Sequence, residues 1–237
     1  EKLMAAGNRV PPLTVRVNRL KTDAKTLAKR LREEGFSADI KLRGAALELS
    51  GSGVLESPAE KEGLFSVQDF SSMMMIEALE PQKGDTVIDV CAAPGGKSLA
   101  AAERMENQGR IISCDIYDHK LQLIQKAADR LGVTILDTRK NDGTVFQPEF
   151  EQIADRVIVD APCSGLGVVR RKPEIKLRTA KKDIEDLSEI QLRILDISSR
   201  YLKPDGKLVY STCTISDIEN RGVVERFLYK NKNFFAV

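Results

Sequence analysis

Two cysteines that follow predicted strands are the residues of this sequence best suited to covalent chemistry. Cys163 lies in "VDAPCSGLG" and Cys213 in "STCTI", each where an apolar, β-prone segment ends. A thiolate is a good nucleophile, but an ordinary cysteine with a pKa of about 8.5 is only a few per cent ionised at neutral pH. An active thiol therefore needs neighbours that lower its pKa. From the residues alone, each cysteine is a nucleophile, a helper or a packed core residue.

The other two cysteines, Cys91 and Cys114, are not paired in sequence with these or with each other. No C-x-x-C pair is present, and the single histidine, His119, lies on a predicted surface helix, so we expect no metal site. We also expect no disulfide framework, because the chain is long enough to bury a core and shows no secretory signal peptide. We expect Cys114 to be a core residue and Cys91 to belong to a loop.

A second chemical signal is the glycine-containing turn "CAAPGGKS", which directly follows the predicted strand "TVIDV". Gly95 and Gly96 allow a ligand to approach the backbone closely, and the N-terminus of the helix that follows offers unpaired N–H donors. The stretch matches neither G-x-G-x-x-G nor G-x-x-x-x-G-K-[ST]. A tight turn without a ligand is the alternative that the two glycines leave open.

Aspartates stand at the ends of three more predicted strands. Asp115 ends "RIISCD", where a carboxylate binds ribose hydroxyls in nucleoside-binding α/β folds. Asp142 suits an adenine amino group, although an aspartate before glycine is also a common turn residue. Asp160 opens the Cys163 turn and is either a hydrogen-bond partner for a substrate or a strand-end turn residue. Together with the glycine turn, Asp115 and Asp142 predict an adenosine site.

Strands that alternate with helices position all of these residues. From about Gly63 we predict strands at "TVIDVC", "RIISCD", "VTILDT", "DRVIVDAP" and "GKLVYSTC", with helices around residues 97–107, 118–131, 183–202 and 217–229. The strands are continuously apolar, which is typical of a parallel sheet with both faces covered. Ligands of such sheets bind beyond the carboxyl ends of the strands, which is where the candidate residues lie.

A shorter unit precedes this α/β region. We predict strands at "LTVRVN", "SADIKL" and "AALELSG", and a helix in "KTDAKTLAKRLREEG" that Thr22 or Asp23 caps and Gly35 ends. Because about sixty residues bury only a modest core, we expect this unit to pack on the rest of the chain. The sequence therefore predicts a small α+β domain at residues 1–62 and an α/β domain at residues 63–237.

Composition excludes several classes of protein. The 237 residues are 42% hydrophobic and 30% charged, as in an ordinary globular protein, and no apolar run approaches the roughly 20 residues of a membrane span. We therefore expect a cytoplasmic, reduced protein without a membrane partner. The net charge of +2 does not indicate nucleic-acid binding, so any such role depends on local basic clusters, which are otherwise solvated faces. These clusters are Arg9, Arg16, Arg19, Lys21 and Lys25, and Arg170, Arg171, Lys172, Lys176, Arg178, Lys181 and Lys182.

The motifs "CAAPGGKS", "DAPCSG" and "STCT" together resemble those of the Sun-type RNA cytosine-5 methyltransferases. "GVVRRKPEIK" is similar to their RsmB-like branch, which acts on bacterial 16S ribosomal RNA. "LTVRVNRLKT" resembles the family's small RNA-recognition-like unit, and "FSVQDFSSMM" its segment before the first sheet strand. The resemblance implies a monomer with a Rossmann-like methyltransferase sheet. Family members usually add an N-terminal helical RNA-binding domain and a last sheet strand, neither of which we expect within these 237 residues.

The resemblance also implies S-adenosylmethionine as the cofactor and RNA, in particular 16S ribosomal RNA, as the substrate. Asp115 would hold the ribose, Asp142 would contact adenine, and Asp160 would lie near the methionine moiety and the target base. Lys97 would neutralise a carboxylate or contact RNA. The cofactor loop would be formed by Cys91, Ala92, Ala93, Pro94, Gly95, Gly96 and Lys97.

Cytosine C5 is a poor nucleophile towards a methyl sulfonium, so a thiolate must first add at C6. DNA cytosine-5 methyltransferases use a Pro-Cys motif, which by analogy would select Cys163. The Sun-type enzymes instead use the Thr-Cys cysteine, here Cys213, while the Pro-Cys cysteine assists release of the methylated RNA. A predicted helix start at Ser216 or Asp217 would favour a Cys213 thiolate through its dipole. Asp160 would bind the N3 edge of the cytosine and, if protonated, stabilise the adduct.

Two other functions stay open at this point. A nicotinamide-dependent dehydrogenase would share the fold, but the absent G-x-G-x-x-G and the paired cysteine motifs count against it. A catalytically silent RNA-binding assembly factor would not need Cys163 and Cys213, both of which are present. Aromatic residues make up only 5% of the chain, which favours extrusion of one target base over a broad stacking platform.

Overall fold

Two sheets organise the chain. The computed structural model describes residues 11–237, apart from the side chains at positions 176 and 178, and contains a four-stranded sheet followed by a five-stranded sheet. This arrangement confirms the predicted α/β class with a small α+β unit at the N-terminal side.

The first sheet is antiparallel. Its strands are β1 (Leu13–Val17), β2 (Ser37–Lys41), β3 (Ala46–Ser50) and β4 (Phe65–Val67), in the order β2-β3-β1-β4. Helix α1 (Ala24–Glu33) buries Leu27 and Leu31 in one core with Val15. Each such fully buried leucine contributes about 1.5–3 kcal/mol of hydrophobic free energy. Asp23 caps the helix as predicted, because its carboxylate accepts from the N–H groups of Lys25 at 2.8 Å and Thr26 at 3.1 Å.

Strand β4 and the short helix α2 (Pro58–Lys61) were not predicted. Three residues are too few to show a strand period in the sequence, and β4 forms because β1 offers it an unpaired edge. The domain boundary after residue 62 stays a prediction, and β4 continues the small sheet beyond that point.

The second sheet is parallel throughout. Its strands are β5 (Thr86–Asp89), β6 (Arg110–Asp115), β7 (Leu136–Lys140), β8 (Ala154–Asp160) and β9 (Leu202–Ser211), in the order β7-β6-β5-β8-β9. The order reverses at β5, so the chain builds outwards first on one side of it and then on the other. In a Rossmann-like sheet this switch point is where a crevice forms beyond the strand ends.

Helices cover both faces of this sheet. They are α3 (Phe70–Leu79), α4 (Gly96–Arg104), α5 (Asp118–Leu131), α7 (Lys181–Ser199) and α8 (Arg221–Lys230), while the short helix α6 (Ile175–Arg178) lies in the segment between β8 and α7. One face packs on α3, α4 and α5, and the other on α7 and α8. Short 3-10 turns lie at Leu42–Gly44, Val54–Glu56, Pro148–Phe150 and Leu166–Val168.

A buried ion pair joins the two sheets. Arg16 of β1 is 6% exposed, and its guanidinium donates to both carboxylate oxygens of Glu103 in α4, at 2.7 and 2.9 Å. The same guanidinium donates to the carbonyl of Gly96 at 2.9 Å and to Gln68. Asn18, two residues after Arg16 and just beyond β1, donates from its side-chain nitrogen to the carbonyl of Leu131 at the end of α5 at 2.8 Å. The small sheet therefore packs against the helix that begins at the glycine turn.

Two predicted element bounds were wrong for identifiable reasons. The strand predicted in "VTILDT" begins only at Leu136, because the N–H of Val133 donates back to the carbonyl of Ala128 at 2.9 Å and completes the end of α5. The helix predicted from about residue 217 begins at Arg221. Residues 217–220 form a turn instead, in which the N–H of Gly222 donates to the carbonyl of Asp217 at 2.8 Å.

Candidate active site

The predicted cofactor residues lie in the loop between β5 and α4 and in the first turn of α4. The loop contains Cys91, Ala92, Ala93, Pro94 and Gly95, and the helix begins with Gly96 and Lys97. Gly95 has φ +98, and a Cβ at this position would lie 3.1 Å from Ile124 of α5, so a side chain would be both strained and crowded. Gly95, the N-cap residue of α4, has no side chain that could accept from the first turn of the helix, so within the described residues the N–H groups of that turn are open to another acceptor. Burial raises the pKa of the Cys91 thiol, so this cysteine is not a candidate nucleophile.

The ends of β5, β6 and β7 meet as the sequence predicted. The N–H of Ala92 donates to the carbonyl of Cys114 at 2.8 Å, and the N–H of Asn141 donates to the carbonyl of Asp115 at 3.1 Å. The Asp115 carboxylate, 7% exposed, accepts from the N–H of Tyr117 at 3.1 Å. These contacts place the glycine turn beside Asp115 at the carboxyl ends of the strands.

Asp142 follows β7 and forms the turn that was its alternative role. Its carboxylate accepts from the backbone N–H of Thr144 at 2.8 Å and from the Thr144 hydroxyl at 2.7 Å. The hydrogen bond from the Thr144 hydroxyl lowers the pKa of Asp142 most, and the bond from the backbone N–H of Thr144 lowers it further. A contact between Asp142 and adenine stays a prediction.

Buried polar atoms lie unpaired at the same strand ends. Asp89, at the end of β5, is fully buried; one oxygen accepts from Ser98 at 2.7 Å, and Oδ1 has no partner within the described residues. Burial raises the pKa of Asp89 to about 7. The Asn141 side-chain nitrogen is also buried and without a partner in this part of the chain. Buried polar groups are normally paired, so these atoms fit a site that accepts a polar ligand.

Asp89 was missed by the sequence reasoning. A carboxylate at the end of an apolar strand, two residues before "CAAPGG", was the available signal, but it reads as the last residue of a strand. Its burial under the loop becomes visible only when Ser98 and Ser113 pack beside it; the Ser113 hydroxyl donates to that of Ser98 at 2.8 Å.

Asp160 connects the glycine turn to the cysteines. It ends β8, where it forms an ion pair with Lys97 of α4 and accepts from the Ser211 hydroxyl of β9 at 2.6 Å. Of the two roles predicted for Lys97, the structure contains the carboxylate contact. The Asp160 carboxylate therefore contacts both the first turn of α4 and Ser211, the last residue of β9, which lies two residues before Cys213.

Cys163 and Cys213 lie beyond the ends of the adjacent strands β8 and β9, with their sulfurs 3.2 Å apart. Cys213 is exposed and Cys163 is half-buried. A hydrogen bond from the Cys163 thiol lowers the pKa of Cys213 to about 7, and the same bond, with burial, raises the pKa of Cys163. The Cys163 sulfur also accepts from the backbone N–H of Cys213 at 3.2 Å. We assign the shared proton to Cys163 because its sulfur is the less exposed one, and water stabilises a thiolate at the exposed sulfur of Cys213.

The cause predicted for a Cys213 thiolate was therefore wrong in its detail. Helix α8 begins at Arg221, and the turn of residues 217–220 separates it from Cys213, so a helix dipole, which acts within one turn, does not reach the sulfur. Cys163 takes that role instead. Cys114 is fully buried in the sheet core, where burial raises its pKa to about 12, as expected of a core residue.

The basic clusters differ from the sequence picture. Grouping Arg16 with RNA-facing residues was wrong, because it is buried against Glu103. Lys21 donates to the backbone carbonyls of Glu62 and Arg130, at 2.8 and 2.7 Å. Arg9 lies outside the described residues.

In the second cluster, Arg171 forms a two-point contact with Asp69, before α3, at 2.5 and 2.7 Å. Lys181 pairs with Glu185 at 3.6 Å on the exposed first turns of α7. The side chains of Lys176 and Arg178 are outside the described part of the chain. The loop after Cys163 is thus fixed to the segment before α3 by one of its own arginines.

The part of the chain that the structure describes contains neither a metal-binding cluster nor a helix suited to a membrane. Among residues 11–237, no three His, Cys, Asp or Glu side chains form a group that could hold a metal ion. In the same range, no helix is long and apolar enough to cross a membrane.

Comparison with known proteins identifies the family. The family described as 16S rRNA methyltransferase RsmB/F matches residues 76–236, and the ferredoxin-like domain of the RsmF/B-like methyltransferases matches residues 1–54. The chain is 42% identical over 226 residues to the probable ribosomal RNA small subunit methyltransferase B of Bacillus subtilis, covering 94% of this chain and 51% of that protein. The protein of the same name from Synechocystis is 35% identical and is covered to 53%, against 99% of this chain.

A solved structure agrees with these sequence matches. A methyltransferase homolog from Pyrococcus horikoshii superimposes with a TM-score of 0.84 at 30% identity, covering 96% of this chain and 72% of that one. The chain spans about half the length of the curated relatives it matches. The resemblance carried by the glycine turn and the two cysteine motifs is confirmed, and the chain belongs to the 16S rRNA methyltransferase RsmB/F family.

Proposed function

We propose that this chain is the catalytic part of an enzyme that transfers a methyl group from S-adenosylmethionine to C5 of a cytosine in RNA, with small-subunit ribosomal RNA as the substrate. The observation that carries the proposal is the pair of sulfurs, Cys163 and Cys213, 3.2 Å apart beyond adjacent strand ends. Two thiols with opposite pKa shifts are suited to two different steps of one covalent reaction. The family match and the names of its relatives support the substrate class.

The cofactor would lie across the ends of β5, β6 and β7. The loop from Cys91 to Lys97 would surround its methionine part, Asp115 would bind the ribose hydroxyls, and Asp142 would accept from the adenine amino group. The unpaired first turn of α4 and the unpaired polar atoms of Asp89 and Asn141 support a polar ligand here. When bound, S-adenosylmethionine supplies an electrophilic methyl group next to the cysteine pair.

Cys213 would begin the reaction. Its thiolate adds to C6 of the cytosine, the sulfur–C6 bond forms, and the C5–C6 electron pair becomes available at C5. Asp160 would face the N3 edge of the base, where the Lys97 ammonium that contacts it helps to balance the developing negative charge. With a pKa of about 7, Cys213 is roughly half ionised at neutral pH, so the attack needs no separate base.

Cys163 would complete the reaction. Before attack its thiol donates to the Cys213 sulfur, and this bond is lost once that sulfur carries the base. Cys163 then releases its own proton to water and, as a thiolate, accepts the C5 proton, after which the C5–C6 double bond re-forms and Cys213 leaves as a thiolate. The proton that Cys163 gives to water is the one proton that the overall reaction releases, and both sulfurs end in the protonation state in which they began, which is a reason for two cysteines rather than one.

RNA would approach over the loop that follows Cys163. Its arginines and lysines are suited to phosphate contacts, and the bond of Arg171 to Asp69 holds one of them in place. A single extruded cytosine would then enter the space beside Asp160 and the two sulfurs. Exposed thiols at the reacting centre require a reducing compartment, so we place the reaction in the cytoplasm, with the protein acting as a monomer.

Trapping the RNA adduct tests this assignment. The wild type, Cys163→Ala and Cys213→Ala are incubated with radiolabelled S-adenosylmethionine and unmodified ribosomal RNA, then separated on denaturing gels. We expect a protein–RNA adduct with Cys163→Ala, which attacks but cannot release, and no adduct with Cys213→Ala. Cys114→Ala, which removes a core thiol, is the matched control and is expected to label RNA like the wild type.

The opposite adduct pattern would reverse the roles of the two cysteines. Absence of labelling in any RNA by the wild type would instead favour an RNA-binding protein without catalysis.

A further inference from the structure

Two consecutive residues, Glu219 and Asn220, contact the backbone or side chains beside both active-site cysteines. Glu219 is fully buried in the turn before α8, and its carboxylate accepts from the backbone N–H of Ser164 at 2.8 Å and from the Ser164 hydroxyl at 2.5 Å. Ser164 is the residue directly after Cys163. The carboxylate therefore fixes the Cys163 turn from its C-terminal side.

The N-terminal side of the Cys163 turn is held by Gln191, which is itself bonded to Glu219. Gln191 of α7, which is fully buried, donates from its amide nitrogen to the carbonyl of Pro162 at 2.9 Å and to Glu219 at 3.0 Å. Pro162 and Ser164 are the two neighbours of Cys163, so hydrogen bonds fix both ends of that residue.

Asn220 makes the corresponding contacts around Cys213. Its side-chain oxygen accepts from the Thr212 hydroxyl at 2.6 Å, and its side-chain nitrogen donates to the carbonyl of Thr214 at 3.0 Å. The hydroxyls of Ser164 and Thr214 lie 2.8 Å apart and connect the two cysteine segments directly. All four residues that flank the cysteines are thus hydrogen-bonded to this turn, to Gln191 or to each other.

Burial of the Glu219 carboxylate costs desolvation free energy that no positive charge offsets in these contacts, because the groups that donate to it are neutral. They are a backbone N–H, a hydroxyl and an amide. An apolar side chain of similar volume would fill the space without that cost. What Glu219 adds is direction, since its bonds run to Ser164 and Gln191 and its own carbonyl accepts from Tyr210 of β9 at 2.6 Å. The contacts therefore connect the ends of β8 and β9 with the middle of α7.

From these contacts we infer that Glu219 and Asn220 are positioning residues, which keep the Cys163 and Cys213 sulfurs at the separation that the reaction requires. This inference rests on the proposed function for its catalytic consequence. Glu219 is fully buried, and both side chains bond to residues beside the cysteines. Both act through the residues beside the cysteines, so they set the rate of the chemical step without contributing to binding of cofactor or RNA.

The kinetic test compares Glu219→Gln and Asn220→Ala with Glu225→Gln, a matched control in which the same change is made on the exposed surface of α8. We expect kcat to fall about 10- to 100-fold for the first two variants, because a displacement of about 1 Å at reacting atoms costs that much. We expect the KM for RNA and the Kd for S-adenosylmethionine to stay within about twofold, as for the control. Equal kcat values for wild type, Glu219→Gln and Glu225→Gln would overturn the inference.

A second measurement reads the sulfur separation without RNA. Phenylarsine oxide bridges two thiols that lie close together, forming two arsenic–sulfur bonds and releasing one water. We expect it to capture Cys163 and Cys213 of the wild type, mapped by mass spectrometry of the intact adduct and its peptides, and to react about tenfold more slowly with Glu219→Gln. Capture at the wild-type rate in both Glu219→Gln and Asn220→Ala would contradict a positioning role.

This design separates the two proposals. If the wild type methylates no RNA but capture slows in the variants, the proposed function fails and the positioning role stands. If Glu219→Gln melts far below the wild type, Ser164→Ala replaces it, because it removes one hydroxyl and leaves the carboxylate bonded to Gln191. A double variant of Glu219→Gln and Ser164→Ala is expected to be no slower than the worse single variant, since both act through one contact; simple multiplication of their effects would count against it.

Discussion

The proposed site has two ends along one edge of the same sheet, and they are held by different kinds of contact. The proposed cofactor end, called the cofactor end below, is the segment from Cys91 to Lys97 with Asp115 and Asp142, and the cysteine end is Cys163 and Cys213 with the residues that flank them. At the cofactor end the bonds are between backbone groups of adjacent strand ends, such as Ala92 to Cys114 at 2.8 Å and Asn141 to Asp115 at 3.1 Å. The turn itself depends on Gly95, which has a positive φ and no space for a side chain. Backbone geometry therefore determines this half of the site.

At the cysteine end, side chains do the same work. Ser164 and Glu219 are separated by 55 positions in the chain, and Cys163 and Cys213 by 50. The paired strands β8 and β9, and a backbone bond from the N–H of Gly167 to the carbonyl of Cys213 at 3.0 Å, bring the two segments together. Hydrogen bonds among Ser, Thr, Gln, Asn and Glu side chains then hold the residues that flank the two sulfurs.

This difference predicts which substitutions should disrupt each half of the site. A backbone-built site fails when its turn or its supporting helix is disturbed, while the rest of the sheet stays intact. A side-chain-built site fails when a single hydrogen bond is lost, without loss of the fold. Changes at one end should therefore leave the other measurable, and the dithiol capture described above provides the readout for the cysteine end.

The largest expected effect is on stability, through the ion pair beneath the cofactor end. Arg16→Met leaves the carboxylate of Glu103, 4% exposed, buried without its cation, and the Gly96 carbonyl loses a donor. We expect the free energy of unfolding in urea to fall by about 3–5 kcal/mol, as when one partner of a buried pair is removed. Dithiol capture in the folded fraction should not change.

The double variant Arg16→Met with Glu103→Leu is the control for this prediction. It removes both charges and should recover most of the lost stability, because apolar residues of similar volume replace buried ion pairs at little cost. A loss below about 1 kcal/mol for Arg16→Met alone would show that the two sheets do not depend on this contact.

A smaller effect is expected at the glycine turn. Gly95→Ala introduces a Cβ 3.1 Å from Ile124 at φ +98, and we expect the Kd for S-adenosylmethionine, measured by calorimetry, to rise about tenfold or more. Gly84→Ala is the matched control, because Gly84 has φ +90 and nothing within 4 Å of the added Cβ. Both variants should lose stability, but only Gly95→Ala should lose cofactor affinity. Equal affinity losses would attribute the effect to backbone strain in general.

The same contrast explains how much the sequence could predict. The parallel sheet, helix α5 and the capped start of α1 follow from apolar periodicity and local capping, which act between residues close in the chain. The glycine turn and Asp115 follow from their place after strands, since strand ends in a parallel sheet meet at one edge. Assignment of all these elements requires no knowledge of distant contacts.

The cysteine end could be predicted only in part. The motifs gave the identity of Cys163 and Cys213, but the means by which Cys213 is activated depends on a neighbour 50 residues away, and the local helix argument gave the wrong cause. Glu219 lies in the helix predicted around residues 217–229 and Arg16 in the first basic cluster, and no sequence pattern indicates a buried partner for either residue. Both side chains are buried against partners that are distant in the chain. Such burial of a charged residue leaves no local signal in the sequence.

The smallest expected effect concerns the pKa of Cys213 and tests whether Cys163 lowers it. The folded pKa of Cys213 is about 7, against an ordinary 9.0, and its first cause is the hydrogen bond from Cys163. Cys163→Ala removes that donor, so the pKa of Cys213 should rise towards the ordinary value and the thiolate should form only at higher pH. The rate of alkylation by iodoacetamide, followed by mass spectrometry between pH 6 and pH 10, should therefore have its midpoint near 7 in the wild type and clearly higher in the variant. At pH 7 we expect only an about fivefold slower reaction, because a thiolate of higher pKa is also more nucleophilic.

Lys97→Met, which removes a weaker favourable charge, should move the midpoint in the same direction by less. A midpoint that is unchanged in Cys163→Ala would mean that the cysteine end, like the cofactor end, is tuned by its backbone.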